Sequence, residues 1–461
     1  MSWKDELARA LPGCVSTDER ARESVASDFG RVIHRLPQAV VRPSSTEDVR
    51  QAMRFAAARS IPVSARGAGH SEAGQSLSDG MVLDLTSLRR ILRIDADAQT
   101  VICQGGASWR SLLEQLQGMR LAPPVLTNNL DVTVGGTLST AGLGVASWRH
   151  GTQADHCLEL EVVTGEGRVV RCSPAHEPEL FDAVRAGLGQ FGVITEATLA
   201  LRRYRPRTRT VYLLYDQLNV LLDDLKRLMV EERFDYLESW CVPCPQGFRK
   251  TGSGKQVFAQ WFFPLHATLE FDSDSPASLT ELLRDLQFYR HVHTEESDTV
   301  EFFSRLDPLF RLWKLGGFWD FAHPWMECVL PWEAAGFYVG QVLENLPPTA
   351  VAGGHILLWP ARAAASSVPL FARPSGEYVL GFGILPAVPP PLLDEALPRI
   401  DQASRAAMML GGKRYLSGWI EFDRAQWKAH FGDHWTHVRE LKRKFDPQGI
   451  LSRGFLKTED V

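Results

Sequence analysis

The stretch ARGAGHSEAGQS, residues 65 to 76, decides how this chain is read. One histidine sits in a loop of glycines, small residues and hydroxyls. Glycine lacks the Cβ that forbids positive φ, so such a loop lets successive backbone N–H groups crowd round an anion. The imidazole of His70 stands where a group attached to that anion would lie. IPVSAR (61–66) reads as a strand running into the loop. Further on, TVGGTLSTAGLG (133–144) again offers N–H groups and hydroxyls. Two such stretches could bracket an extended phosphate-bearing cofactor.

Outward from the loop, residues 38 to 64 read as strand, helix, strand. Ser45 and Asp48 form a capping box for a helix whose Val49, Met53 and Ala56 share one face. GMVLDLTSL and TVICQGGAS read as strands, and Ser108 caps a helix carrying Leu112, Leu113 and Leu116. CLELEVVTGEGRVVRC alternates about a turn at Gly165–Gly167, a hairpin pattern. PELFDAVRAG then reads as a short helix and FGVITEATLAL as a strand. After about residue 205 aromatics and prolines become denser, and long helical stretches such as LNVLLDDLKRLMVEERF begin. The tail from Gln426 reads as one helix stopped at Asp446-Pro447.

A chain of 461 residues is long enough for two or three domains. Its net charge of −5 gives no drive towards nucleic acid or an anionic membrane. The seven cysteines are scattered and odd in number, which is no disulfide framework and favours a reducing compartment. MSWKDELARALPG carries charge from its fourth residue and lacks a signal peptide's apolar core, and no segment is long enough to span a bilayer. A soluble, cytoplasmic protein is the expectation.

Some motifs invite over-reading. GLGQFG (187–192) fits the dinucleotide fingerprint, but that motif must follow a strand and open a helix; here it follows a helical pattern and opens a strand. Its glycines are expected to let backbone pass close to a flat ligand. WCVPC (240–244) resembles a redox dithiol, yet it has neither a strand-to-helix context nor a second Cys pair for zinc. Two ordinary thiols near a proline turn are expected there. His323, His430, His434 and His437 have the look of metal ligands, but without a glutamate after His430 the metalloprotease pattern is absent. A solvated or half-buried helix face is the plainer account of the last three, and no metal is expected.

ARGAGHSEAGQS, TVGGTLSTAG, RHGTQADHCLELEVVTGEG, AGLGQFGVIT, WDFAHPW, KRYLSGW, HFGDHW and FDPQGILSRG occur in that order. Together they resemble the vanillyl-alcohol-oxidase type of FAD enzymes, and within it the cytokinin dehydrogenases. The resemblance implies an α+β, two-domain PCMH-type FAD-binding fold. Residues 1–205 and 421–461 would form the FAD-binding domain, and 206–420 an antiparallel-sheet substrate (cap) domain. It also implies a covalent bond from His70 to the flavin 8α-methyl, with Ala65, Arg66, Gly67, Ala68, Gly69, Ser71 and Gln75 round the pyrophosphate. Further FAD contacts carried over by motif are Asn128, Thr133, Gly135, Gly136, Ser139, Leu143, Val193, Tyr415 and Ser452. Some relatives carry a second tether, a cysteine before the double glycine; LTNNLDV (126–132) has none, so a single link is expected.

That segment also departs from the family. Cytokinin dehydrogenases resemble TDYLxLTVGG here, where the aspartate is the base on the substrate amine. Asn128 holds its place, and an amide accepts no proton at neutral pH. Asp131 and Glu238 are the remaining acid–base candidates, Glu238 matching a substrate-side glutamate of the family. Phe455 stands where relatives often carry a polar flavin contact. Flavin oxidation pairs hydride transfer to N5 with loss of a cation, usually a proton. With Asn128 present three arrangements stay open. Asp131 or Glu238 takes the proton; the substrate is acidic enough to need no base; or carbon dioxide leaves instead. An oxidative decarboxylase of a carboxylic acid, in bacterial specialised metabolism, is the first reading, with Arg149, His150 or Arg362 seating the carboxylate. Cytokinin-dehydrogenase-like oxidation of an amine or alcohol with a relocated base is the second. A flavin-containing binding protein is the non-enzyme alternative. A small-molecule substrate and oxygen or another electron acceptor are the expected partners.

Overall fold

A computed structural model describes residues 2–252, 254–272, 277–347, 351 and 353–458. Near the N-terminus, Val15–Ser16, Ala39–Val41, Met81–Asp84 and Val63–Arg66 form a four-stranded sheet in that order. The last three run parallel. Helix Thr46–Ala57 carries the chain from Ala39–Val41 to Val63–Arg66, on the other side of Met81–Asp84; the Ser45–Asp48 capping box is present and Val49, Ala52, Met53 and Ala56 are buried. A second, antiparallel sheet orders Ile91–Asp95, Thr100–Gln104, Val193–Ala200, Cys157–Val163 and Val169–Cys172. Helix Trp109–Leu116, capped by Ser108, buries Leu112, Leu113 and Leu116.

Eight antiparallel strands form the third sheet. Their order is Arg290–Asp298, Arg207–Tyr215, Gly254–Phe271, Tyr236–Thr251, His355–Arg362, Tyr378–Leu385, Met326–Pro331 and Lys413–Arg414. Helices Leu218–Glu231, Trp332–Asn345 and Leu393–Met409 pack on it. Side chains alternate across a pleated sheet, so the register assigns faces. Trp240 pairs with Leu357, Leu357 with Gly383, and Gly383 with Glu327. Glu238, two residues before Trp240, therefore shares a face with His355, Trp359 and Glu327. Phe382 and Cys328 point the other way, where Tyr338 of helix Trp332–Asn345 meets the Phe382 ring edge-on at 5.4 Å between centres.

Gly381 pairs directly with Trp359, and a Cβ there would fall inside the indole. The ring lies flat across the strand only because position 381 has no side chain. Gly381→Ala is expected to lower stability by about 1–3 kcal/mol, the usual cost of overpacking. A thermal melt checks this, and a Trp359→Leu change made with it should restore much of the loss.

The expected single helix in the tail is two, Arg424–Phe431 and Trp435–Phe445. Gly432, at φ +57°, breaks it. Beyond them the chain returns to the first sheet: Val63 N donates to Ile450 O and Ser452 N to Val63 O, each at 2.8 Å. Buried Asp446 accepts from Lys442 Nζ at 2.8 Å and from the amides of Ile450 and Leu451. Cys241 is buried and Cys244 exposed, both within strand Tyr236–Thr251; the proline turn expected around WCVPC is absent because the pairing with Gly254–Phe271 runs through it. Among the described residues, no helix is long and apolar enough to cross a membrane.

Candidate active site

Strand Val63–Arg66 delivers the chain into the glycine loop. Phe29 N donates to Gly69 O at 2.8 Å and Gly30 N to Ser71 O at 3.0 Å. Asp28 accepts from Ser71 Oγ and from Gly74 N. These bonds occupy loop carbonyls and the far end of the loop. Among the described residues, the amides of Ala68 to Glu72 donate to no protein acceptor. Gly69 has φ +69°. A run of free amides on a glycine bend fits an anion such as a diphosphate, so this donor set suits the expected cofactor.

The loop forms one wall of a cavity of about 290 Å³. Short helix Val134–Leu138, capped by Thr133, forms another; Gly135 N donates to Gly105 O at 2.7 Å. Leu188, Gly189 and Gly192 of GLGQFG line a third side, between helix Pro178–Val184 and strand Val193–Ala200. The eight-stranded sheet closes the fourth through His355, Leu357 and Trp359.

The structure gathers most of the sequence candidates here. Ala65, Gly67, Ala68, Gly69, His70, Ser71 and Gln75 line the cavity from the loop. Asn128, Thr133, Gly135, Gly136, Ser139 and Leu143 line it from the second stretch, and Glu238 and Tyr415 from the sheet side. Three cofactor candidates stand behind the wall. Arg66 donates to Ser76 Oγ at 3.3 Å, Val193 is core, and Ser452 Oγ donates to Gln75 O at 3.1 Å. Asp131 lies off the cavity, its carboxylate 2.5 Å from Arg110 Nε. Arg149 pairs with Glu232 and Asp235, Arg362 with Glu232, and the His150 ring faces that of His156; none of them reaches the cavity.

His70 packs against Phe29 at 4.1 Å between ring centres and meets Trp325 edge-on at 5.8 Å. Burial, with His323 nearby, pushes its pKa down to about 4. It is therefore neutral at physiological pH and keeps a nitrogen lone pair. His323 also stacks on Phe29, tilted by only 5°, and is fully buried. His430 is also buried, among Phe422, Trp427 and Phe431, which corrects the half-exposed face expected for it; His434 and His437 are exposed.

At the substrate end, Asn128 Nδ2 donates to Glu238 Oε1 at 3.1 Å. Arg305 Nη2 donates to Asn128 Oδ1 at 2.8 Å and reaches both Glu238 oxygens at 3.4 Å. The amide thus bridges a guanidinium and a carboxylate, and cannot turn without losing both. His355 lines the cavity beside them, its pKa pushed down to about 4 by burial against the pull of Glu238. Sequence reading missed Arg305, His355, Glu72, Glu327 and Trp359. Among the described residues, those lining the cavity include Glu72, Glu238 and Glu327 but no arginine or lysine.

Residues 37–173 match the family model of an FAD binding domain, and residues 206–456 the model described as cytokinin dehydrogenase 1, FAD and cytokinin binding. Cytokinin dehydrogenase 6 of Oryza sativa subsp. japonica is 32% identical, over 98% of this chain and 92% of its own. An uncharacterized oxidoreductase, ORF5 in the fasciation locus of Rhodococcoides fascians, is 30% identical over 98% of this chain and all of its own. Cytokinin dehydrogenase 1 of Arabidopsis thaliana is 29% identical, over 96% and 82%. Fold and site define an FAD-dependent oxidoreductase of two-domain PCMH-type architecture. The chain belongs to the cytokinin dehydrogenase family.

Proposed function

We propose that this protein oxidises a flat, largely apolar amine or alcohol, with Glu238 as the group that receives the substrate N–H or O–H. In this reading residues 1–205 and 421–461 hold the cofactor and 206–420 the substrate, and His70 carries the flavin covalently. FAD, when bound, supplies the hydride acceptor.

The Arg305–Asn128–Glu238 cluster at the cavity wall carries the reading. Arg305 balances the charge of Glu238, and Asn128 fixes its orientation through one oxygen. The rest of that carboxylate is left to accept a hydrogen bond and then a proton. Leu306, Leu309, Phe310 and Trp359 supply apolar walls that exclude water from the transfer. Asn128 itself orients and does not take the proton.

Decarboxylation needs a cation to seat the substrate carboxylate. Arg149 and Arg362 are spent on Glu232, and an acid would meet cavity glutamates with no lysine or arginine among the lining residues. Electrostatics therefore favours a neutral or cationic substrate. Anaerobic mixing of purified yellow protein with a panel of amines and alcohols, isopentenyladenine included, is expected to bleach the flavin. Stoichiometric release of labelled carbon dioxide from a carboxyl-labelled acid, with no bleaching by any amine or alcohol, would reverse the assignment.

A further inference from the structure

Two cavity carboxylates play no part in that reaction. Glu327 shares a sheet face with Glu238 but lies three strands away, on the order of 14 Å at the usual strand spacing. Glu72, two residues past His70 and 2% exposed, lines the same cavity. Glu72 accepts from Trp325 N at 3.2 Å, and the Trp325 ring touches His70. Glu327 accepts from Ser417 Oγ at 2.6 Å. The cofactor tether and the two carboxylates thus meet round one tryptophan.

The cation closest to hand does not pair with either. Buried Arg414 donates to the carbonyls of Glu327 and Trp419 and to Ser404 Oγ. Other charged or titratable neighbours are Asp28, held by Ser71 and Gly74, Arg66 beside it, the Tyr415 hydroxyl and the Cys328 thiol next along the strand. Burial and then the charge of Glu327 hold the Glu72 carboxyl well above its ordinary range. Burial pushes Glu327 up to about 7, against the opposing pull of Ser417 and Arg414. Two carboxylates so placed cannot both ionise easily and titrate as a unit.

We propose that Glu72 and Glu327 form a carboxyl–carboxylate couple that holds one proton while the bound flavin is oxidised and takes up a second when it is reduced. The proposal rests on the FAD reading above. Oxidation removes from the substrate a hydride, which carries two electrons to the flavin, and a proton. Added negative charge in a water-poor cavity raises the proton affinity of a neighbouring anion. The substrate proton goes to Glu238, as above; the proton that ends on the couple is drawn from solvent, whether the electrons come from substrate or from an electrode. The protein as a whole then takes up two electrons and two protons, whereas the hydride alone accounts for two electrons and one. The couple matters most near neutrality. At low pH both carboxyls are already protonated, and at high pH the second proton is no longer taken up.

Spectroelectrochemical titration of the purified flavoprotein between pH 5.5 and 8.5 tests this. Above pH 7, where Glu327 has given up its proton before reduction, the wild-type midpoint potential should fall with the slope of two protons per two electrons. Glu327→Gln and the Glu72→Gln/Glu327→Gln pair should halve that slope and raise the potential, since a negative charge is removed. Equal slopes in flavin-loaded wild type and variants would overturn the proposal. Electrochemical reduction in weakly buffered indicator dye counts the protons directly: a larger uptake per flavin in wild type than in Glu327→Gln supports the couple, since a proton taken by the reduced flavin itself appears in both, and equal uptake refutes it. Wild type that binds no FAD would defeat the cofactor reading itself, a result distinct from either.

Discussion

Replacing His70 with alanine is expected to release all of the flavin to the supernatant on acid precipitation, while wild type keeps its colour and weighs one FAD more than its encoded mass. A carbon–nitrogen bond to the flavin methyl needs an imidazole with a lone pair, and burial keeps His70 neutral. It also needs a ring that does not wander, and Phe29 and Trp325 fix this one. Without the tether the isoalloxazine is held by loop contacts alone. A misplacement of about 1 Å can cost about 10²-fold in rate, so turnover at saturating FAD should fall by that order. Truncating a packed ring also costs stability, about 2–5 kcal/mol by analogy with other large-to-small core changes. His70→Gln, which keeps more bulk, separates the two effects: it should fold nearly as well as wild type and still release its colour.

Glu238→Gln should be the most damaging conservative change at the substrate end. Loss of a positioned proton acceptor costs about 10²–10⁴-fold, and the amide would leave Arg305 without its counter-charge. The rate of anaerobic flavin bleaching at saturating substrate should drop by that factor, with the flavin spectrum and tether unchanged. Asp131→Asn is the control. That carboxylate faces Arg110 outside the cavity, and loss of a surface ion pair so placed should leave bleaching within about twofold. Equal losses in the two variants would remove Glu238 from the role proposed for it.

Much of the flavin side was legible because its signals are local. A glycine-rich bend, a capped short helix and alternating strands each lie within a dozen or so residues, and backbone rules read them directly. The substrate side was not. Arg305 meets Asn128 across 177 positions of sequence, and nothing in FFSRLDP marks that arginine. Glu72 meets the strand edge at Trp325, two residues before Glu327, across 253 positions of sequence. Asp131 shows the converse: it is three residues from Asn128, yet it turns to Arg110. The tail was half legible. Helical periodicity ran through both of its helices, and only the positive φ at Gly432 reveals the break.

The pairing of Val63 with Leu451 has a consequence for biosynthesis. The strand that launches the cofactor loop is made long before its neighbour in the sheet. Ser452 then braces Gln75 from below. A nascent chain can hold the loop sequence and still lack its floor, so a coenzyme arriving on the ribosome has no finished seat. A product cut short before Ile450 should therefore bind FAD poorly and stay pale, which an absorption spectrum of a chain ending at Pro447 would check.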